Sequence, residues 1–259
     1  MNYFLYTDRD CIVTRLDPRT KLFILLVFFI LSLLFENPVF NAVIILITLS
    51  HAALGKCLDR LSVVWKLMVI ITLFSVIIWT FSIKGITPLW GFTSVESILY
   101  GLSAALQINS IIVAGVIFLS TTRNEDIGLG LIELGVPYRL GFAFTTALRL
   151  VPTFVGTTVT VIQAQRSRGF DPFTGSIVER IKKFVPLLGP VFLSTLRNAD
   201  TLSRALESRG FARTEKRTQY RSLKAGTGDL IANIIAALLL AFALFLKFEG
   251  YGKLEGIIK

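Results

Sequence analysis

The chain writes one basic phrase twice. Arg166-Ser167-Arg168-Gly169-Phe170 and Glu207-Ser208-Arg209-Gly210-Phe211 share the core Ser-Arg-Gly-Phe. The chemistry open to each is recognition rather than catalysis. A guanidinium is always charged, carries its donors in a planar fork, and grips carboxylates and carbonyls. Each copy falls where a helical pattern stops. A Gly just past the last helical residue suits a left-handed C-cap, and an Arg in the last turn complements the negative end of the helix dipole. One copy alone reads as a helix end. Two copies in one polar segment of a very apolar chain call for a second role. The helical stretch from Ser176 to Arg209 would hold them about 50 Å apart at 1.5 Å per residue. That spacing suits a partner presenting the same acidic groove twice, and a dimer of like subunits is the natural candidate.

Three helices are expected to position the two arginines. Asn124 to Leu134 is short and stops at Gly135-Val136-Pro137. Tyr138 to Arg168 is long, with Pro152 as an expected kink, and Ser176 to Arg209 is interrupted by Pro186 and Pro190. The second half of the last is two-faced. Leu196, Ala199, Leu202 and Leu206 recur at spacings of three and four and share one face; Arg197, Asp200, Arg204 and Glu207 take the other. Asp200 and Arg204 form an i,i+4 pair in the favourable order. The whole block from Arg123 to Lys224 carries sixteen basic and eight acidic residues.

The rest of the chain is hydrocarbon. Of 259 residues 53% are hydrophobic and 17% charged, with mean hydropathy +0.69; soluble domains carry about 25% charged residues. Five apolar runs are read as membrane spans: Leu22 to Phe35, Val39 to Leu54, Val63 to Ile83, Ile98 to Thr121 and Leu230 to Leu246. Asp17 is the expected N-cap of the first and Pro18 its first helical residue. Gln107 and Asn109 are expected to hydrogen-bond between helices, and the Ala-rich last span to pack closely. The fold class is thus an all-α integral membrane protein. About five transmembrane helices are joined to a cytoplasmic module of three amphipathic helices inserted before the last span. The domains are 1–122, 123–224 and 225–259. With the N-terminus inside, all but four of the 27 basic residues (Lys84, Lys247, Lys253 and Lys259) lie on the cytoplasmic side, and the C-terminus falls outside. Leu140 to Ile162 is itself apolar enough to be a span, but its Arg-rich flanks place it at the cytoplasmic surface.

Several function classes are excluded. The net charge of +10 follows from the positive-inside rule, so no nucleic-acid partner is expected. Cys11 and Cys57 fall on the reducing side and His51 stands alone, so neither a disulfide nor a metal site is expected. Asn2 to Asp10 does not have the order of a signal peptide. No Walker lysine motif occurs, and no Asp or Glu lies deep in the first four spans, against an ion-driven carrier. Glu133, Asp171 and Glu179 are scattered and read as solvated. Leu16 to Lys21 reads as a positive flank with a helix start, without assigned chemistry.

At these motifs the chain resembles the transmembrane T component of energy-coupling factor (ECF) transporters, the group that includes the cobalt-transport permease CbiQ. Leu16-Asp17-Pro18-Arg19-Thr20-Lys21 looks like the family's N-terminal signature. Leu148-Arg149-Leu150-Val151-Pro152 resembles its Arg-aromatic-Ile-Pro element, with Leu150 at the aromatic position. Gln163 to Gly169 and Asn198-Ala199-Asp200 with Ala205 to Phe211 resemble the two coupling motifs, with Ser where Ala is common. The resemblance implies that Arg168 and Arg209, flanked by Ser167, Gly169, Ser208 and Gly210, dock into two ABC-type ATPase subunits. It implies that the apolar face with Leu196, Ala199, Leu202 and Leu206 is a platform for a membrane S component capturing a vitamin, cobalt or nickel. It implies too that ATP with Mg is used by the partner ATPases, this prokaryotic cell-membrane subunit binding no cofactor and being no enzyme. Two alternatives stay open: an ordinary ABC permease with its own substrate path, and an integral membrane enzyme acting on lipid.

Overall fold

The computed structural model describes residues 11, 13–85, 87–90, 93–171, 173–211, 226–252 and 257–258. Pro172, and the boundary drawn at residue 224, lie outside them. Two compact units emerge: 1–136 with 223–259, and 137–222.

The first unit contains α1 (Pro18–Leu34), α2 (Pro38–Leu54), α3 (Leu58–Ser82), α4 (Val95–Thr121), α5 (Asn124–Glu133) and α8 (Thr227–Phe248). Their starts follow local chemistry. Asp17 caps α1 by accepting from the Arg19 N–H, Asn37 caps α2 by accepting from the Val39 N–H, and Pro occupies the first position of both helices. The core runs along α1, where Ile24, Val27, Phe28, Leu31 and Phe35 meet Ile44 of α2, Ala114 of α4 and Ala236 and Ala243 of α8. The small residues of α8 permit that approach, as expected of an Ala-rich span. Helix α3 lies against α4 so closely that a Cβ on Gly101 would stand 3.0 Å from the Val76 Cα.

Polar side chains tie these helices together. Gln107 donates to the Phe35 carbonyl at 2.7 Å, and Asn109 to the Thr72 hydroxyl at 2.8 Å. Asn41 donates to the Phe35 carbonyl and to the Ser103 hydroxyl, and the Ser75 hydroxyl to the Gly101 carbonyl. Gln107 and Asn109 thus act as interhelical donors, as the sequence predicts. His51 lies against the Phe28 ring, with centroids 5.6 Å apart.

Four short strands complete this unit: β1 (Lys84–Gly85), β2 (Pro88–Trp90), β3 (Thr93–Ser94) and β4 (Ile257–Ile258). Both pairs, β1 with β4 and β2 with β3, are antiparallel. The Gly252 carbonyl accepts from the backbone N–H groups of Glu36 and Asn37. The tail therefore returns to the α1–α2 turn and the α3–α4 connection, at the far end of α1 from Asp17.

Helices α3, α4, α8 and α6 (Tyr138–Ser167) are each long and apolar enough to cross a membrane by length and composition, and α2 is a shorter apolar helix. The protein is a multi-pass, all-α integral membrane protein. Hydrogen bonds within the first unit constrain the crossings. Lys21, near the start of α1, donates to the Thr121 carbonyl at the end of α4, and the Asp17 N–H donates to Asp229 at the start of α8. The chain therefore leaves and re-enters this unit at one end.

The second unit is a helix pair, α6 and α7 (Ile177–Ser208), each continuous through its internal prolines. The Phe211 ring, just past α7, meets Tyr138 and Phe142 at the start of α6, so the pair runs antiparallel. Helix α5, which the sequence places with this module, packs in the first unit instead. Gly130 closes on Pro18, and Glu133 pairs with Arg19 at 2.7 Å.

Candidate functional site

Both Ser-Arg-Gly-Phe phrases are helix ends of one design. In the first, Arg168 is the C-cap and Gly169 takes φ +83°; the Phe170 N–H donates to Gln165 and the Gly169 N–H to Arg166. In the second, Arg209 is the C-cap and Gly210 takes φ +71°; the Phe211 N–H donates to Leu206 and the Gly210 N–H to Glu207. These are Schellman motifs. No atom lies within 4 Å of a Cβ built on Gly169, so the backbone angle rather than space calls for glycine there. The Ser167 hydroxyl donates back to Gln163 and the Ser208 hydroxyl to Ala205. Each serine is spent on its own helix, and the arginine is left as the group that projects.

The same cap ends α2, α5 and α8, at Lys56, Gly135 and Gly250, so cap geometry by itself marks no site. The arginines do. Arg168 and Arg209 are exposed, and among the described residues neither side chain has a hydrogen-bond or ion-pair partner. Neighbouring cations are engaged. Arg166 pairs with Asp171 at 3.3 Å, Arg204 with Asp200 at 3.0 Å, and Lys183 donates to Thr174. Because α6 and α7 are antiparallel, the two arginines stand at opposite ends of the pair, about 45 Å apart for a 30-residue helix.

Between them α7 presents the most two-faced surface among the described helices. The sequence picks out Leu196, Ala199, Leu202 and Leu206. Leu196 and Ala199 are exposed, and Leu202 and Leu206 half-buried. The stripe is longer than that reading: it begins at Ile177 and continues through Ile181, Val185, Leu188 and Phe192, the last four each 63% exposed. Their spacing of three and four keeps them on the face of Ala199 and Leu206. Among the described residues of this unit, Leu187 and Gly141 alone are buried. Arg149, in the middle of α6, is exposed.

Asp171 is held acidic. The Phe173 backbone N–H donates to it at 3.1 Å and the Arg166 guanidinium lies beside it; together they lower its pKa below the ordinary carboxylate value. Glu179 closes a capping box with Ser176 at the start of α7.

Within the first unit, the segment Leu16 to Lys21 is more than a charged flank. Asp229 accepts from the Asp17 N–H and from the Gly226 N–H, both at 2.7 Å, and so caps its own helix while holding the start of α1. Lys21, buried, donates to the carbonyls of Thr14 and Thr121. The sequence signal for this knot is thin: an Asp in the first turn of an apolar helix, matched to an Asp-Pro helix start far away.

Comparison with known proteins places the chain in a family. The Cobalt transport protein family, CbiQ, matches residues 11–220. The energy-coupling factor transporter transmembrane protein EcfT of Streptococcus thermophilus is 32% identical over 93% of this chain and 96% of its own length. EcfT of Lactococcus lactis subsp. cremoris is 32% identical over 89% and 92%, and that of Acidaminococcus fermentans 30% identical over 94% and 95%. With its helical membrane unit and its tipped helix pair, the chain belongs to the CbiQ/EcfT family of energy-coupling factor transporter transmembrane components.

Proposed function

We propose that this subunit couples two ABC-type ATPase subunits to a membrane S component in an importer for a vitamin or a transition metal such as cobalt or nickel. Arg168 and Arg209, with Ser167, Gly169, Ser208 and Gly210 shaping their turns, each enter an acidic groove on one ATPase. The stripe from Ile177 through Leu196, Ala199, Leu202 and Leu206 is the platform for the S component, which sets the substrate. ATP with Mg is bound and hydrolysed by the ATPases. Their closing motion reaches the platform through α6 and α7, which hold both tips and the stripe in one unit. The helix pair and the N-terminus face the cytoplasm and the C-terminus the outside, the assignment that places most basic residues inside.

One observation carries this reading: two identical helix ends each expose an unpartnered arginine, at opposite ends of an antiparallel pair whose apolar stripe is uncovered. On a helix pair that faces the cytoplasm, as this reading places it, an uncovered apolar stripe marks a partner site. The test is Arg168→Glu with Arg209→Glu. The protein should insert and fold, but the ATPases should no longer co-purify and uptake should stop. Normal assembly and transport by the double variant would overturn the assignment. Transport by the chain and ATPases without any further membrane subunit would favour an ordinary permease.

A further inference from the structure

The two tips carry the same Ser-Arg-Gly-Phe turn but are held by different means. At the second, Phe211 is the anchor, its ring 4.4 Å from Phe142 and 6.2 Å from Tyr138. At the first, the corresponding Phe170 makes no ring contact among the described residues. The connection after it is braced instead. Asp171 Oδ1 accepts from Arg166 Nε at 3.3 Å and from the Phe173 N–H at 3.1 Å. The Arg166 guanidinium lies over the Phe173 ring, 5.0 Å from its centroid, and Phe173 stands edge-on to Phe184 of α7 at 5.7 Å. Thr174 donates to the Asp171 carbonyl and receives Lys183, so the brace is tied to both helices.

We propose that Asp171 is a positioning residue for Arg168. It draws Arg166 back onto Phe173 and fixes the turn between α6 and α7, so that Arg168 alone projects from the first tip. This rests on the reading of Arg168 as an ATPase-docking residue. The physical gain is preorganisation: a turn already ordered loses less freedom when it enters a groove. Both donors meet on the one oxygen Oδ1, and its charge strengthens both bonds; an amide oxygen offers the same two lone pairs but loses the charge and the attraction to the guanidinium. The pair is exposed, so the effect is modest and local.

The experiment is dissociation of the ATPases from the purified, detergent-solubilised complex, followed by kinetics. Asp171→Asn should speed dissociation roughly two- to fivefold, the range of an exposed, well-formed ion pair. The deciding readout is its dependence on the arginines. In an Arg168→Ala background Asp171→Asn should add nothing, because there is no projecting group left to position; in an Arg209→Ala background its full effect should persist. A cost for Asp171→Asn that is unchanged in the Arg168→Ala background overturns the proposal, as does wild-type dissociation by Asp171→Asn alone. Should Arg168→Ala itself leave dissociation unchanged, the docking reading fails, and with it this proposal. Phe173→Ala should act in the same direction through the same epistasis; additivity with Arg168→Ala would count against the brace.

Discussion

In the first unit, α1 turns Ile24, Val27, Phe28 and Leu31 inward against three other helices. In the second, α7 turns Ile177, Ile181, Leu188 and Phe192 outward, and only Leu187 of its apolar residues is buried. The polar groups divide the same way. Gln107, Asn109, Asn41 and Asp229 spend their hydrogen bonds between helices, whereas Arg168 and Arg209 spend none. The first unit uses side-chain chemistry to stay folded in a membrane. The second leaves an apolar stripe and two cap arginines uncovered.

Substitutions should separate the two. The largest loss is expected for Asp229→Ala, which strips the acceptor from two N–H groups at the joined starts of α1 and α8. Thermal unfolding in detergent should show about 2–4 kcal/mol of destabilisation, and an unchanged midpoint would deny the knot a structural role. Gly101→Leu forces α3 from α4 and should cost about 1–3 kcal/mol by the same assay. Gln107→Leu, which frees the Phe35 carbonyl of one donor, should cost about 0.6–1.7 kcal/mol. Across the boundary the sign of the comparison changes. Leu188→Ser and Phe192→Ser on α7 should stay within about 0.5 kcal/mol of wild type in unfolding yet lower recovery of the membrane partner in co-purification. A large fall in stability with normal assembly would erase the distinction. The smallest effect concerns acid. The folded pKa of Asp171 is depressed, so its contribution is present above the ordinary carboxylate pKa and is lost as pH falls through the lower, folded value. Limited proteolysis of the α6–α7 connection should be flat from pH 7 to 5 and rise only below about pH 4.

Local signals were legible in the sequence. The Asp17 start, both Arg-Gly stops and the Asp200–Arg204 pair depend on residues a few positions apart. The amphipathic face of α7 was legible in its second half, where charge and apolarity alternate cleanly. The first half, crowded with Pro186, Pro190 and near-continuous hydrocarbon, hid its beginning at Ile177. Glu133, read as solvated, pairs with Arg19, and that contact takes α5 into the first unit. The Asp17–Asp229 bond was not legible, because the donor is a backbone N–H, which every non-proline residue possesses.

That bond joins positions 212 residues apart, and the Gly252 carbonyl that receives the Glu36 and Asn37 N–H groups closes a comparable distance at the other end of α1. Synthesis runs from the N-terminus. The first helix to be made is therefore the last to be finished: both its ends wait, through the making of every other helix, for partners that leave the ribosome with α8 and the tail.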